Sequence, residues 1–267
     1  MYQAYWGFKE KPFENVADPH FLYYSRQHEE ALTRLMYVVS EAKGLAVLTG
    51  VFGCGKTVVA RTLISSLSKG RYEVAFLINP QFNSVELLRD IVYHLGVKDN
   101  LPSQKTDILH ALDGILRNNF NDGKSTVIII DEAHLIEDKM IFEELRLLLN
   151  FQAGNHFLLT LILIGQPELR EKINNIKQLE QRIAMKYHLS GLTLEDTLHY
   201  IRHRLKVAGA EQEIFGDEAI RLIQDFSGGI PRRINHICDN ALLVASARQM
   251  PAVSPDLVSE VVEDMQR

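Results

Sequence analysis

The sequence predicts an α/β fold: a mainly parallel sheet with helices on both faces, followed by a small all-α domain. Three observations predict it. The apolar run Gly44–Thr49 breaks into the glycine-rich stretch Gly50-Val51-Phe52-Gly53-Cys54-Gly55-Lys56-Thr57, after which Val58, Val59, Leu63, Ile64 and Leu67 describe an amphipathic helix. The runs Val127–Ile130 and Phe157–Ile164 are continuously apolar rather than alternating, which marks strands buried on both faces of a parallel sheet. Beyond Leu192 only helical signals remain.

Taken in order, residues 1–25 are rich in aromatics (Tyr2, Tyr5, Trp6, Phe8, Phe13, Phe21, Tyr23, Tyr24) without clear periodicity. They read as an ordered lead-in that docks hydrophobically on the core. Ser25 is placed to cap a helix reaching about Ala42, with Ala31, Leu35, Val38 and Val39 on one face. The first strand and its glycine-rich turn follow. Val74–Asn79 reads as a second strand, and Val85–Leu95 as a helix closed by Gly96. Ser103 opens a helix carrying Ile108, Leu112, Ile115 and Leu116, ended by the turn Asn121-Asp122-Gly123. The third strand runs from Ser125 into Asp131-Glu132, and Ile141, Leu145, Leu148 and Leu149 mark the next helix. His156–Gly165 reads as a strand, residues 168–183 as broken helix, and Tyr187–Leu189 as a short edge strand.

Thr193 caps a helix stopped by Gly209; a second runs from Asp217 to Phe226 and ends at Gly228-Gly229. Pro231 suits the first turn of a third, and Ser254 caps a fourth running to Met265. The expected organisation is therefore a lead-in (1–25), an α/β core (26–191) and a helical domain (192–267).

Bulk properties narrow the function classes. Hydrophobic residues make up 46% of the 267, and charged residues 24%, which fits a packed globular chain and not a disordered one. A net charge of −5 supplies no global field for nucleic acid. The two cysteines, Cys54 and Cys238, fit neither a metal spacing nor a disulfide framework, so a reducing compartment is expected. The N-terminal residues lack the basic-then-apolar layout of a signal peptide, and the apolar run 157–164 is far too short for a membrane span. A soluble, cytoplasmic protein with no membrane insertion of its own is expected.

The chemistry sits at strand ends. Strand, G-x-x-x-x-G-K-T, helix is the P-loop in its required context. Gly50 and Gly55 are expected to adopt positive φ, so that backbone N–H groups of Gly50 through Val58 wrap a phosphate. The helix starting near Lys56 adds its positive dipole end. Lys56 is expected to reach the β- and γ-phosphates, and Thr57 to place a hydroxyl on Mg²⁺. Asp131 and Glu132 end a buried strand, where open parallel sheets place ligands. Asp131 there can hold the Mg²⁺ shell. Glu132, pointing the other way, can orient and deprotonate an attacking water. Asp131-Glu132-Ala133-His134 also spells a helicase motif, but such helicases need a second RecA-like domain, and the residues that follow read partly as a helical bundle. Cys54, in the same loop beside Lys56 and a helix start, meets conditions that lower a thiol pKa. Alkylation there is expected to inactivate the protein, with nucleotide protecting.

The P-loop, Val127–His134, Gln166 after a strand, Gln181-Arg182-Ile183 and Gly228-Gly229-Ile230-Pro231-Arg232-Arg233 resemble the AAA+ ATPases. Within them the chain is most similar to the general-secretion-pathway A (ExeA-type) ATPases and their transposon-encoded relatives. The similarity includes Tyr5-Trp6-Gly7-Phe8, Lys11-Pro12-Phe13 and Leu163–Leu169. The resemblance implies ATP, with Mg²⁺, as the nucleotide, and a helical lid for the C-terminal domain. It implies a sensor role near the γ-phosphate for Gln166, or else a helix cap. Arg232 is implied as the lid arginine on the phosphates, with Arg233 as its competitor, and Arg182 as a finger offered to a neighbouring subunit, with Arg170 and Lys186 as rivals.

A homo-oligomer whose site is completed by the next subunit is thereby implied, as is a cytoplasmic role in a secretion or pilus system with a membrane-protein partner. Two other roles stay open: a transposition-regulator ATPase that polymerises on DNA, and a nucleotide-controlled regulatory switch. The basic stretch 170–186 and the group Arg202, His203, Arg204 and Lys206 are interleaved with acids or apolar residues. They read as solvated helix faces before they read as a nucleic-acid surface.

Overall fold

The computed structural model of the chain describes residues 2–78, 80, 83–99 and 101–266. The elements follow in order: α1 (Tyr2–Trp6), α2 (Arg26–Ser40), β1 (Leu45–Gly50), α3 (Lys56–Ser66), β2 (Tyr72–Leu77), α4 (Ser84–His94), α5 (Lys105–Asn121), β3 (Ser125–Ile130) and α6 (Lys139–Leu148). The chain continues through β4 (Gln152–Ala153), β5 (His156–Phe157), β6 (Leu159–Gly165), α7 (Glu168–Asn174), α8 (Lys177–Glu180) and β7 (Ile183–Leu189). It closes with α9 (Leu194–Val207), α10 (Asp217–Ser227), α11 (Pro231–Ala247) and α12 (Pro255–Gln266). Asn79, the expected end of the second strand, lies outside the described residues.

Internal contacts divide the chain into two compact units: residues 29–52 with 59–189, and residues 1–28 with 53–58 and 190–267. The first is the sheet unit. Its five strands are parallel in the order β2-β3-β6-β1-β7. β1, β3 and β6 lie inside the sheet, which is why they are buried along their length and mostly apolar, without alternation. On one face Leu45, Val47, Ile128, Ile130, Leu161 and Leu163 pack with residues of α4 to α8. On the other face, Tyr187 of the edge strand β7 donates its hydroxyl to Glu30 of α2 and lies under the Arg34 guanidinium. α2 and α3 bury Leu35, Val38, Val39, Val59, Ala60 and Leu63. The sheet is thus layered on both faces, as the uninterrupted apolar strands required.

Local boundaries shift for identifiable reasons. Asn83, with Glu86 three residues on, forms a capping box that starts α4 one residue early. α5 begins at Lys105 with Gln104 as its cap position, so Ser103 is not the cap. The expected strand 156–165 is two pieces: β5 pairs antiparallel with β4 as a small hairpin, and β6 enters the sheet. β7 is a full seven-residue edge strand and not a three-residue one.

The second unit is helical. α9 to α12 share a core of Ile201, Leu205, Ile220, Ile223, Ile234, Cys238, Leu242 and Val258, and the lead-in is built into it. Tyr2, Trp6, Phe8 and Phe13 are buried there, and Trp6 Nε1 donates to Leu242 O at 3.1 Å. Arg204, buried, donates to the carbonyls of Pro12 and Glu14 and lies over the Phe21 ring at 4.7 Å. The lead-in aromatics thus find their partners in the helical unit, and this docking accounts for a helix as short as α1.

Candidate functional site

The turn after β1 belongs half to each unit, with Gly50–Phe52 in the sheet unit and Gly53–Val58 in the helical one. Positive φ falls on Gly53 (+83°) and Gly55 (+99°), whereas Gly50 is an ordinary last residue of β1, paired with Leu189. Both loop glycines are also sterically required. A Cβ on Gly53 would stand 2.7 Å from Cβ of Arg232, and one on Gly55 would stand 2.9 Å from Nε2 of His28. Lys56 opens α3, so the loop delivers the backbone to a helix N-terminus, a ready anion site. Lys56 is only 5% exposed, and Thr57 and Val58 are half-buried.

Arg232 sits against this loop. Its backbone N–H donates to Gly53 O at 3.2 Å, and Pro231 sets it in the first turn of α11. Arg233, its competitor, is exposed. Sequence reasoning missed the loop's other support, His28. Its Nε2 donates to Cys54 O at 3.0 Å, since a carbonyl only accepts, and Nδ1 then accepts from Ser25 Oγ at 2.6 Å. A Ser-x-x-His spacing at a helix start was the available signal.

Burial pushes the His28 imidazole below its ordinary value, against smaller opposing effects from the Cys54 carbonyl and Asp196. With the folded value below the unfolded one of about 6.5, the stability tied to His28 is complete above that pH. It is lost as pH falls through the folded value. Urea midpoints measured from about pH 8 to pH 5 are expected to fall in wild type and to fall less in His28→Gln, which keeps a donor for Cys54 O but takes no proton. Equal slopes would remove His28 as the cause.

Cys54 corrects an expectation. Its thiol is fully buried, so ready alkylation has no access route without opening of the loop. Its contribution to the loop is the backbone carbonyl that His28 holds.

The sheet unit gathers the other residues along the C-terminal edge of its strands. β6 lies between β3 and β1, so Gln166, which follows β6, emerges between Asp131 and the Gly50–Phe52 half of the turn. Asp131 is 1% exposed, and its N–H donates to Leu77 O at 2.8 Å. Its Oδ1 accepts the Glu132 N–H at 2.8 Å. Glu132 is left-handed (φ +53°), an uncommon setting for a non-glycine residue, and it turns the chain into the short 3-10 segment Ala133–Leu135. His134 is drawn in beside it. Nδ1 lies 3.3 Å from Glu132 Oε2, and Nε2 lies 3.0 Å from Gln166 Nε2. Lys172 of α7 donates to the carbonyls of His134 and Ile136 at 2.5 and 2.9 Å.

Arg182 lies elsewhere in this unit, half-buried just before β7, and donates to Asn150 Oδ1 at 2.9 Å. Its rivals Arg170 and Lys186 line a cleft of about 220 Å³ with Val47, Thr49, Ile173 and His188, and Lys186 is paired with Glu180 at 2.8 Å. Phe52 is exposed at 56%.

The donor set fits a magnesium nucleotide. Hydroxyl and carboxylate are the hard oxygen donors that Mg²⁺ takes, and the two positive-φ glycines lead the backbone into a helix N-terminus that suits an anion. Among the described residues, no helix is long and apolar enough to cross a membrane.

Residues 39–173, about half of the chain, match a family model described as AAA domain. The chain is similar to general secretion pathway protein A of Aeromonas hydrophila, with 40% identity over 255 residues. That match covers 93% of this chain and 45% of that protein, so the chain spans less than half the length of this relative. In fold it resembles the Aeropyrum pernix ORC2 protein in its ADPNP-ADP complexes (TM-score 0.73, 21% identity, 96% of this chain and 72% of that one). It also resembles the Aeropyrum pernix ORC1 protein in complex with DNA (TM-score 0.68, 16% identity, 96% and 69%).

Proposed function

The chain belongs to the AAA domain family of P-loop ATPases, and from that premise we propose that it binds ATP with Mg²⁺ through Gly50–Val58 and couples hydrolysis to subunit assembly. The observation that carries the reading is the loop itself. Two glycines at positive φ, each hemmed in where a Cβ would go, lead into a helix N-terminus headed by Lys56. Thr57 and Asp131 would hold Mg²⁺, which would supply charge neutralisation to the phosphates. Lys56 binds the phosphates by charge-assisted hydrogen bonds. Glu132 takes the proton of the attacking water, and Gln166 orients that water. Arg232, beside Gly53, adds a guanidinium to the helix dipole acting on the same anion. In this reading residues 26–191 are the ATPase core and 192–267 the lid, whose core residues 1–25 complete.

Arg182 serves the nucleotide of a neighbouring subunit. A finger of this kind contributes about 10³–10⁵ in rate. Specific activity is therefore expected to rise with protein concentration, and Arg182→Ala is expected to remove that rise while leaving the affinity of a lone subunit for nucleotide intact. Concentration-independent turnover, or full activity in Arg182→Ala, would contradict the role.

The 40% identity to general secretion pathway protein A supports a cytoplasmic role in a secretion or pilus system, with a membrane-protein partner. A fold shared with a DNA-bound ORC1 keeps in view a transposition-regulator type of ATPase that assembles on DNA. The same turnover assay with and without duplex DNA separates the two. Steeply salt-dependent stimulation by DNA favours the second reading, and indifference to DNA favours the first.

A further inference from the structure

Building on that hydrolytic reading, the geometry points to His134 as a positioning residue that holds the base Glu132 and the sensor Gln166 in one frame by bridging them with its two ring nitrogens. The bridge admits one tautomer. An amide nitrogen only donates, so the His134 Nε2 that meets Gln166 Nε2 at 3.0 Å carries no proton. The neutral ring then carries its proton on Nδ1, which faces the carboxylate oxygen of Glu132 at 3.3 Å. A carboxylate only accepts, so the same tautomer suits both ends. The pairing also fixes Gln166: its nitrogen end is held, which leaves the carbonyl oxygen as the acceptor that it presents.

The frame around the ring is built from independent elements. Lys172 ties the carbonyls of His134 and Ile136. Gly165, the residue before Gln166, has no Cβ where one would meet His134 N at 3.1 Å and Leu169 at 2.9 Å. The ring is 11% exposed. Its Nδ1 makes no aligned hydrogen bond, so Glu132 is steered by the contact without being locked by it. A base that must turn to take a proton and release it needs that freedom.

An ordinary buried histidine would cost folding when removed, and kcat would fall only along with it. A positioning histidine lowers kcat with binding preserved. His134→Ala is expected to reduce kcat by about 10–100-fold, the usual cost of losing an orienting partner. The Kd for Mg²⁺ with a non-hydrolysable ATP analogue is expected to stay within about twofold, and the melting temperature close to wild type. His134→Gln, whose side-chain oxygen can stand where Nε2 accepts, is expected to recover part of the rate. In a Gln166→Ala background His134→Ala is expected to cost clearly less than it does alone, because the two act as a unit.

Unchanged kcat in His134→Ala, additive losses in the double variant, or loss of binding in parallel with kcat in both His134 variants would each overturn the proposal. Wild type that turns over no ATP would instead overturn the hydrolytic reading on which it rests, and this proposal with it.

Discussion

Glu132→Gln is expected to bind ATP as wild type does and to hydrolyse it about 10²–10⁴-fold more slowly, the range that a positioned general base contributes. The substitution is nearly isosteric, and its backbone cost is that already carried at φ +53°. What changes is proton affinity. An amide takes no proton from water, so the nucleotide stays intact. Asp131 keeps its 2.8 Å bond from the residue-132 N–H, because that bond is to backbone. Rapid-quench measurement of bound nucleotide should recover ATP from the variant and ADP from wild type. Wild-type turnover in Glu132→Gln would mean that another group takes the proton.

Lys56→Ala should weaken both binding and turnover. Hydrogen bonds to charged groups are worth about 1.5–3 kcal/mol, so losing the ammonium costs about 10–100-fold in nucleotide affinity. Charge developing on the transferred phosphoryl group makes the loss in rate larger, about 10²–10³-fold, as for removal of one donor from a preorganised site. Because Lys56 is 5% exposed at a helix start, alanine also leaves space where the ammonium stem packed, and the melting temperature should be measured beside the kinetics. Turnover preserved in a folded Lys56→Ala would remove this loop from the mechanism.

These two residues were legible in the sequence because each follows a buried strand, Glu132 two residues past β3 and Lys56 at the start of the helix that the turn after β1 leads into. β1 and β3 carry the uninterrupted apolar runs Leu45–Leu48 and Val127–Ile130, and the polar or glycine-rich residues after each run mark the edge of the sheet. Gln166 was legible for the same reason after β6. The α9–α12 helices were legible from their caps: Thr193 accepts from Asp196 N, and Gly228 takes the left-handed position after α10.

What escaped depends on partners far along the chain. α1 is held by Trp6 on Leu242 O and by Tyr5 on Met250 O, contacts that no local pattern announces. The lead-in aromatics look equally able to pack on a sheet or on a bundle; their burial in the helical core, with the buried Arg204 reaching Pro12 O and Glu14 O, shows which. His28 offered only the short Ser25-x-x-His28 spacing and His134 no spacing at all; the partners that give each its role, Cys54 O for His28 and Gln166 for His134, are brought to it by the fold. Cys54 was misread in the other direction. Its neighbours in sequence suggested a reactive thiol, and its burial withdraws the access that reactivity needs.

Every role proposed above requires that this loop take a magnesium nucleotide. Calorimetric titration of wild type and of Lys56→Ala with a non-hydrolysable ATP analogue, with and without Mg²⁺, tests it most directly. Wild type is expected to show saturable uptake that is strengthened by Mg²⁺ and weakened at least about tenfold in Lys56→Ala. No heat of binding in folded wild type, or equal uptake by the two proteins, would contradict it.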